Sequence, residues 1–163
     1  MIICLLNFSW ALSQDQKLLT KKEEKFVNRI FPEGSTAERL VLPDWDSASA
    51  GSPMDGDRVY LLRQKEVVLG YLLSTRAMGR FDYFDYLLAY APDFSVLDLT
   101  VTVYRSSHGA AICQKRWLSQ FVGYSGEELT LGKEIDAVAG ATISATSMVK
   151  DMKRCRQIMI SLK

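Results

Sequence analysis

Hydrophobic and polar positions change rhythm several times along this chain. Over residues 15–30, charged and helix-favouring residues place Leu18, Leu19, Phe26, Val27 and Ile30 near one face, which predicts a surface helix ended by Pro32 and Gly34. From Leu40 to Gly56 apolar residues mix with Pro43, Ser47, Ser49, Gly51, Ser52 and Pro53, the composition of an irregular connection. Residues 58–63, 66–75, 83–91 and 95–104 are rich in Val, Leu, Tyr and Thr and predict strands. Their short gaps favour antiparallel meander pairing. Gln64 and Lys65 suit one turn and Pro92 and Asp93 another, while Met78, Gly79 and Arg80 form a break. Gly79, without a side chain, would also let a ligand approach the backbone closely.

After Gly109 the pattern turns helical. Ile112, Leu118 and Phe121 fall roughly on one face of a helix over residues 110–122, ended by Gly123. A loop rich in Gly and Glu follows. In the last element Met148, Val149, Met152, Cys155, Met159 and Leu162 recur at helical spacing, and Lys150, Lys153, Arg154 and Arg156 read as its solvated basic face. Ser144 is the expected cap. Burying about five such side chains contributes on the order of 10 kcal/mol before entropy is subtracted, so this helix is expected to be needed for folding. Its methionines read as core and not as ligands. The predicted fold class is α+β, an antiparallel sheet flanked by helices.

Composition narrows the chemistry. With 163 residues, 48% hydrophobic and 24% charged, the chain composes as one soluble globular domain able to bury roughly two-thirds of its unfolded surface. The balance of 20 Lys+Arg against 19 Asp+Glu supplies no chain-wide field for nucleic acid, which is not an expected partner. The three cysteines and one histidine show none of the defined spacing of a four-ligand structural zinc site, and Cys4 lies in the expected leader, so no metal is expected. Cys113 and Cys155 read as small packed hydrophobes, with a disulfide between them as the alternative. No phosphate-binding GxxxxGK[ST] loop, GxGxxG turn, HExxH or GxSxG is present.

Residues 1–12, MIICLLNFSWAL, are apolar but shorter than the roughly 20 residues that span a bilayer. They fit the apolar part of a secretory signal over residues 1–13, with Ala11 and Ser13 before a cut at Gln14 and without the usual positive start. The alternative is a buried first strand or helix. Export is the expectation, followed by a helix and connection over residues 14–57 and the main domain over residues 58–163.

The segment Asp136-Ala137-Val138-Ala139-Gly140-Ala141-Thr142-Ile143-Ser144 opens the last helix. Small residues there leave backbone N–H groups and the helix dipole open to a phosphate, and Thr142, Ser144, Thr146 and Ser147 add hydroxyls. On physics alone, a small-residue helix cap packed against the sheet is the favoured reading over an anion site.

The same segment resembles the attachment motif of the FMN-binding domain family, Asp-x-x-Ser/Thr-Gly-Ala-Thr-x-Ser/Thr. That family includes the periplasmic flavoprotein subunits of the sodium-pumping NADH:quinone reductase and Rnf electron-transport complexes. Asp136, Gly140, Ala141, Thr142 and Ser144 fit the motif, and Ala139 replaces its usual hydroxyl residue. The resemblance implies FMN bonded through its phosphate to the Thr142 hydroxyl by a separate flavin transferase that uses FAD and magnesium. It extends from about Glu66 to Lys153, through Val68-Leu69-Gly70-Tyr71, a Gly79-containing turn, Tyr104-Arg105-Ser106-Ser107-His108-Gly109 and Trp117-Leu118-Ser119-Gln120-Phe121-Val122-Gly123. Ser106 stands where the family has an acidic residue and His108 where it has proline, so Ser107 and His108 are expected near the flavin ring in an altered loop.

His108 reads either as a proton donor to reduced flavin, since an imidazole titrates near physiological pH, or as a solvent-facing loop residue. Phe81, Tyr83, Phe84 and Tyr86 read either as flavin-stacking groups or as ordinary sheet packing. The resemblance implies a periplasmic or otherwise extracytoplasmic electron carrier, with no catalytic residue of its own, that works with an unidentified redox protein or a membrane electron-transfer complex. The alternatives are a flavin-free interaction module of the same fold and a reductase-like protein that binds FMN noncovalently.

Overall fold

The computed structural model describes residues 18–42 and 52–162. The expected leader, residues 15–17 of the first helix, and Pro43, Ser47, Ser49 and Gly51 of the irregular connection lie outside the described residues. The elements run α1 (Lys21–Ile30), β1 (Thr36–Leu40), β2 (Arg58–Gln64), β3 (Val67–Met78), β4 (Tyr83–Tyr90), β5 (Val96–Tyr104), α2 (Lys115–Leu118) and α3 (Thr142–Ile160). The five strands pair antiparallel in the order β1-β2-β3-β4-β5, the expected meander with one strand more at its start. The architecture is α+β, with helices on both faces of the sheet.

Alternation along the strands builds two apolar faces. Val59, Leu73, Leu88 and Leu99 align across β2, β3, β4 and β5 and face α3 in the larger core. Tyr60, Leu72 and Ala89 form the corresponding row on the opposite face, beneath Phe26 and Val27 of α1. Strand β1 escapes the sequence pattern because Thr36-Ala37-Glu38-Arg39-Leu40 has no apolar side to announce; its backbone pairing with β2 makes it a strand.

Residues 110–122 do not form the expected single helix. They fold as a 3-10 turn (Ala110–Cys113), α2 and a second 3-10 turn (Ser119–Phe121), with Gln114 extended at φ −70° and ψ 130°. The expected shared face is also wrong: in one continuous helix Ile112 and Phe121 would point to opposite sides, since nine residues at 3.6 per turn rotate by about 180°. The break at Gln114 lets both be wholly buried.

The supposed basic face of α3 also divides. Lys150 and Lys153 are exposed, whereas Arg154 lies under the helix with its side chain 13% exposed. Its Nη1 donates to Asp57 Oδ2 at 2.6 Å, Nε to Asp151 Oδ1 at 2.6 Å and Nη2 to Thr75 Oγ1 at 2.7 Å. Thr75 donates to Asp57 Oδ1 at 2.6 Å, and the Tyr86 hydroxyl donates to Asp151 Oδ2 at 2.5 Å. Burial and the neighbouring Asp151 charge push the Tyr86 phenol well above its ordinary value, so it remains a donor. Burial alone would lower the Arg154 value, but its hydrogen bonds and the surrounding negative charge raise it. Arg156 donates to Phe94 O at 2.9 Å and steadies a turn in which Phe94 has φ 68°. Cys155 is wholly buried beside Tyr86, Cys113 is half-buried, and both are free thiols, so the alternative disulfide is not formed.

On the other face, Thr20 and Glu23 form a reciprocal cap of α1, and Arg58 Nη2 donates to Glu23 Oε1 at 2.7 Å. Burial raises the Glu23 carboxyl, but the Arg58 and Thr20 hydrogen bonds outweigh it and hold the group below its ordinary value. The stabilisation is therefore full above the unfolded value and is lost as pH falls through the folded one. Urea midpoints should fall as the pH drops through and below the ordinary glutamate range, and Glu23→Gln should make that fall shallower. Asp57→Ala, which leaves Arg154 buried without one of its two carboxylates, should cost about 3 kcal/mol at neutral pH by the same measurement.

Candidate functional site at the start of α3

The segment that opens α3 is fixed before the helix begins. Trp117 Nε1 donates to Asp136 O at 2.8 Å, and the Asp136 N–H donates to Gln120 Oε1 at 2.8 Å, so the Trp-Leu-Ser-Gln-Phe run grips the first motif residue by its backbone. A turn follows, closed by the Ala141 N–H on Val138 O at 3.1 Å. Gly140 within it has φ 73°, a left-handed conformation that costs a residue with a Cβ roughly 1–2 kcal/mol.

The first helical bond runs from the Ala145 N–H to Ala141 O at 2.9 Å, which makes Ala141 the cap residue. A methyl group accepts no hydrogen bond. The N–H groups of Thr142, Ile143 and Ser144 thus begin a 19-residue helix with no side-chain cap, at the positive end of its dipole. Ser144 is not the expected cap. It lies inside the first turn, 2% exposed, and its Oγ is 2.9 Å from the Tyr104 hydroxyl. Tyr104 donates to His108 O at 2.6 Å, so Ser144 is the donor between the two hydroxyls.

Two glycines let the loops close on this helix start. A Cβ on Gly109, at φ 87°, would sit 2.5 Å from the Tyr104 hydroxyl oxygen and 3.2 Å from Ser144 Oγ. A Cβ on Gly79 would sit 2.8 Å from Asp82 O and 3.5 Å from Ser144 Oγ, so the space this glycine leaves is taken up by protein. The result is a cleft of about 190 Å³ lined by Arg80, His108, Gly109, Gly140, Ala141, Thr142, Ile143 and Ser144. Asp136, Ala139 and Ser107 are exposed nearby and do not line it.

Arg80 was not legible as a site residue. Its guanidinium lies 5.0 Å over the exposed Phe81 ring, which meets the His108 imidazole edge-on at 6.4 Å. His108 Nδ1 is 2.9 Å from Ser107 Oγ. Phe81 and Tyr83 are exposed, whereas Phe84 and Tyr86 are 1% exposed and belong to the core. The cleft therefore combines uncapped N–H groups, a cation, an exposed threonine hydroxyl and an aromatic rim, a set suited to an anionic group attached to a planar ring.

No protein-family model matches this sequence, and no curated protein matches it. Solved structures do match. The crystal structure of Shewanella oneidensis NqrC superposes with a TM-score of 0.51 and 18% identity, over 81% of this chain and 68% of that one. The chain is similar in fold to NqrC.

That likeness is one of architecture. Gly109→Ala should cost about 1–3 kcal/mol in urea unfolding, because it adds left-handed strain and a Cβ against Tyr104. Tyr104→Phe removes the bonds to Ser144 and His108 O and should cost about 1 kcal/mol.

Proposed function

We infer that this chain is an electron-transfer domain that carries FMN covalently on Thr142. The observation that carries the reading is the uncapped start of α3, where the exposed Thr142 hydroxyl borders a small cleft that also holds Arg80. The attachment-type sequence lies on that turn, and the fold is similar to that of NqrC. A cleft of about 190 Å³ is smaller than the roughly 300–1,000 Å³ that encloses a whole ligand, so it fits the phosphate end and leaves the ring outside. When bound, the flavin supplies the redox chemistry; the N–H groups of the first α3 turn and Arg80 would hold its phosphate, and Phe81 and His108 stand at the rim.

A separate flavin transferase is the partner that forms the bond. Thr142 would supply the hydroxyl that accepts the flavin phosphoryl group, with the first-turn N–H groups of α3 and Arg80 placed to hold that phosphate. Attachment serves a carrier outside the cytosol, where a dissociated flavin would be diluted away, and its redox partner would be another protein or a membrane electron-transfer complex. Ala139, in place of the usual hydroxyl residue, favours the second reading, a flavin-free interaction module of this fold.

Intact mass and visible absorbance of denatured protein, co-expressed with a flavin transferase, separate these readings. A mass increase equal to esterified FMN should map to the Thr142 peptide, and Thr142→Ala should abolish the retained yellow colour. Arg80→Glu should lower the modified fraction while leaving urea stability within about 0.5 kcal/mol. An unmodified chain from the native envelope fraction would move the assignment to the flavin-free module.

A further inference from the structure

Strand β5 is the last in the sheet, and over most of its length no strand among the described residues pairs with its outer side. Val96, at its start, is covered: its N–H donates to Tyr124 O at 2.9 Å and its carbonyl accepts from the Gly123 N–H at 2.8 Å. From Asp98 to Tyr104 no further strand pairs with it among the described residues. An edge of this kind presents backbone donors and acceptors ready to pair with another chain.

A cleft of about 750 Å³ lies between this strand and α1, bordered by Thr100 and Thr102 on the strand side. On the helix side Lys21, Lys22, Lys25 and Arg29 line it, against one carboxylate, Glu24. Lys22 Nζ already donates to Thr102 O at 2.9 Å, so this lysine reaches the strand backbone. Arg29 is paired with Asp98 at 2.7 Å. The positive charge is local, since the whole chain carries a formal charge of only +1.

We propose that β5 is a docking edge for an extended acidic segment of a partner protein, which adds as a further strand beside the lysines of α1. Backbone pairing would supply affinity, and alternate carboxylates facing Lys21, Lys22 and Lys25 would supply selection. A second copy of this chain is a poor occupant because antiparallel edge pairing would bring two lysine banks together. Residues 1–17 are also a poor match, since Asp15 is their single carboxylate. The edge ends at Tyr104, which holds His108 O and Ser144 at the cleft of α3, so a segment docked there reaches the rim of the candidate site. This inference stands without the flavin and can be tested on the unmodified chain.

The probe is a fluorescein-labelled peptide alternating Glu with Val and Thr, compared with the same peptide carrying Lys for Glu. Anisotropy with the full chain should show saturable binding of the acidic peptide alone, weakened by added salt. Lys22→Glu/Lys25→Glu should weaken it about tenfold with an unchanged far-UV circular dichroism spectrum. Exposed Lys25→Glu alone, which touches no strand backbone, should weaken it in the same direction. Amide exchange of wild-type β5 should slow when the acidic peptide is bound. Lack of saturable binding, equal binding of the lysine peptide, unchanged affinity in both charge variants, or blockage of the edge by dimers of this chain would overturn the proposal.

Discussion

The Arg154 guanidinium, taken out of water beneath α3, constrains the molecule more than any other single group. Left unpaired there it would cost several kcal/mol, so the chain must deliver acceptors to it from separate elements. Asp57 comes from the approach to β2, Thr75 from β3 and Asp151 from the same helix, while Tyr86 of β4 donates to Asp151. These contacts tolerate little rotation or sliding of α3 on the sheet. Three turns earlier along the same rigid helix stands Thr142, so a buried charge in the core sets where the exposed hydroxyl is presented.

At the other end of α3 the constraint is one of space. Helix starts usually satisfy their N–H groups with a side chain, as Thr20 does for α1. Here Ala141 occupies that position, and the cost of the open N–H groups is offset by the apolar face of α3, where Ala145, Met148, Met152, Cys155, Ile158 and Met159 are all wholly buried. Gly79 and Gly109 let two loops crowd against the first helical turn, Gly140 allows the left-handed turn before it, and the Ser144 and Tyr104 hydroxyls tie the Gly109 loop to the helix. The arrangement keeps an anion-seeking helix end open while its surroundings are held still.

The two ends of β5 serve different purposes. Its first residue is closed off by the Gly123 and Tyr124 backbone, which satisfies the sheet edge there. Its last residue, Tyr104, belongs to the site. Between them no strand among the described residues pairs with the edge, and lysines of α1 border it, an arrangement that disfavours a second copy and suits the proposed acidic strand.

Much of this was legible in the sequence because it is written locally. Runs rich in Val, Leu, Tyr and Thr specify β2 to β5, and the helical spacing of Met148, Met152, Cys155 and Met159 specifies α3. The small-residue turn before Thr142 was equally visible. Tertiary structure alone decided the rest. It made β1 a strand by pairing a segment with no apolar side, broke residues 110–122 so that Ile112 and Phe121 could both be buried, and drew Arg154 from an apparent solvent face into the core. It also turned Ser144 from a cap into a tie and brought Arg80 to the cleft. Each of those outcomes depends on partners tens of residues away, and neither periodicity nor propensity carries information about which distant group will supply a hydrogen bond, a charge or a neighbouring strand.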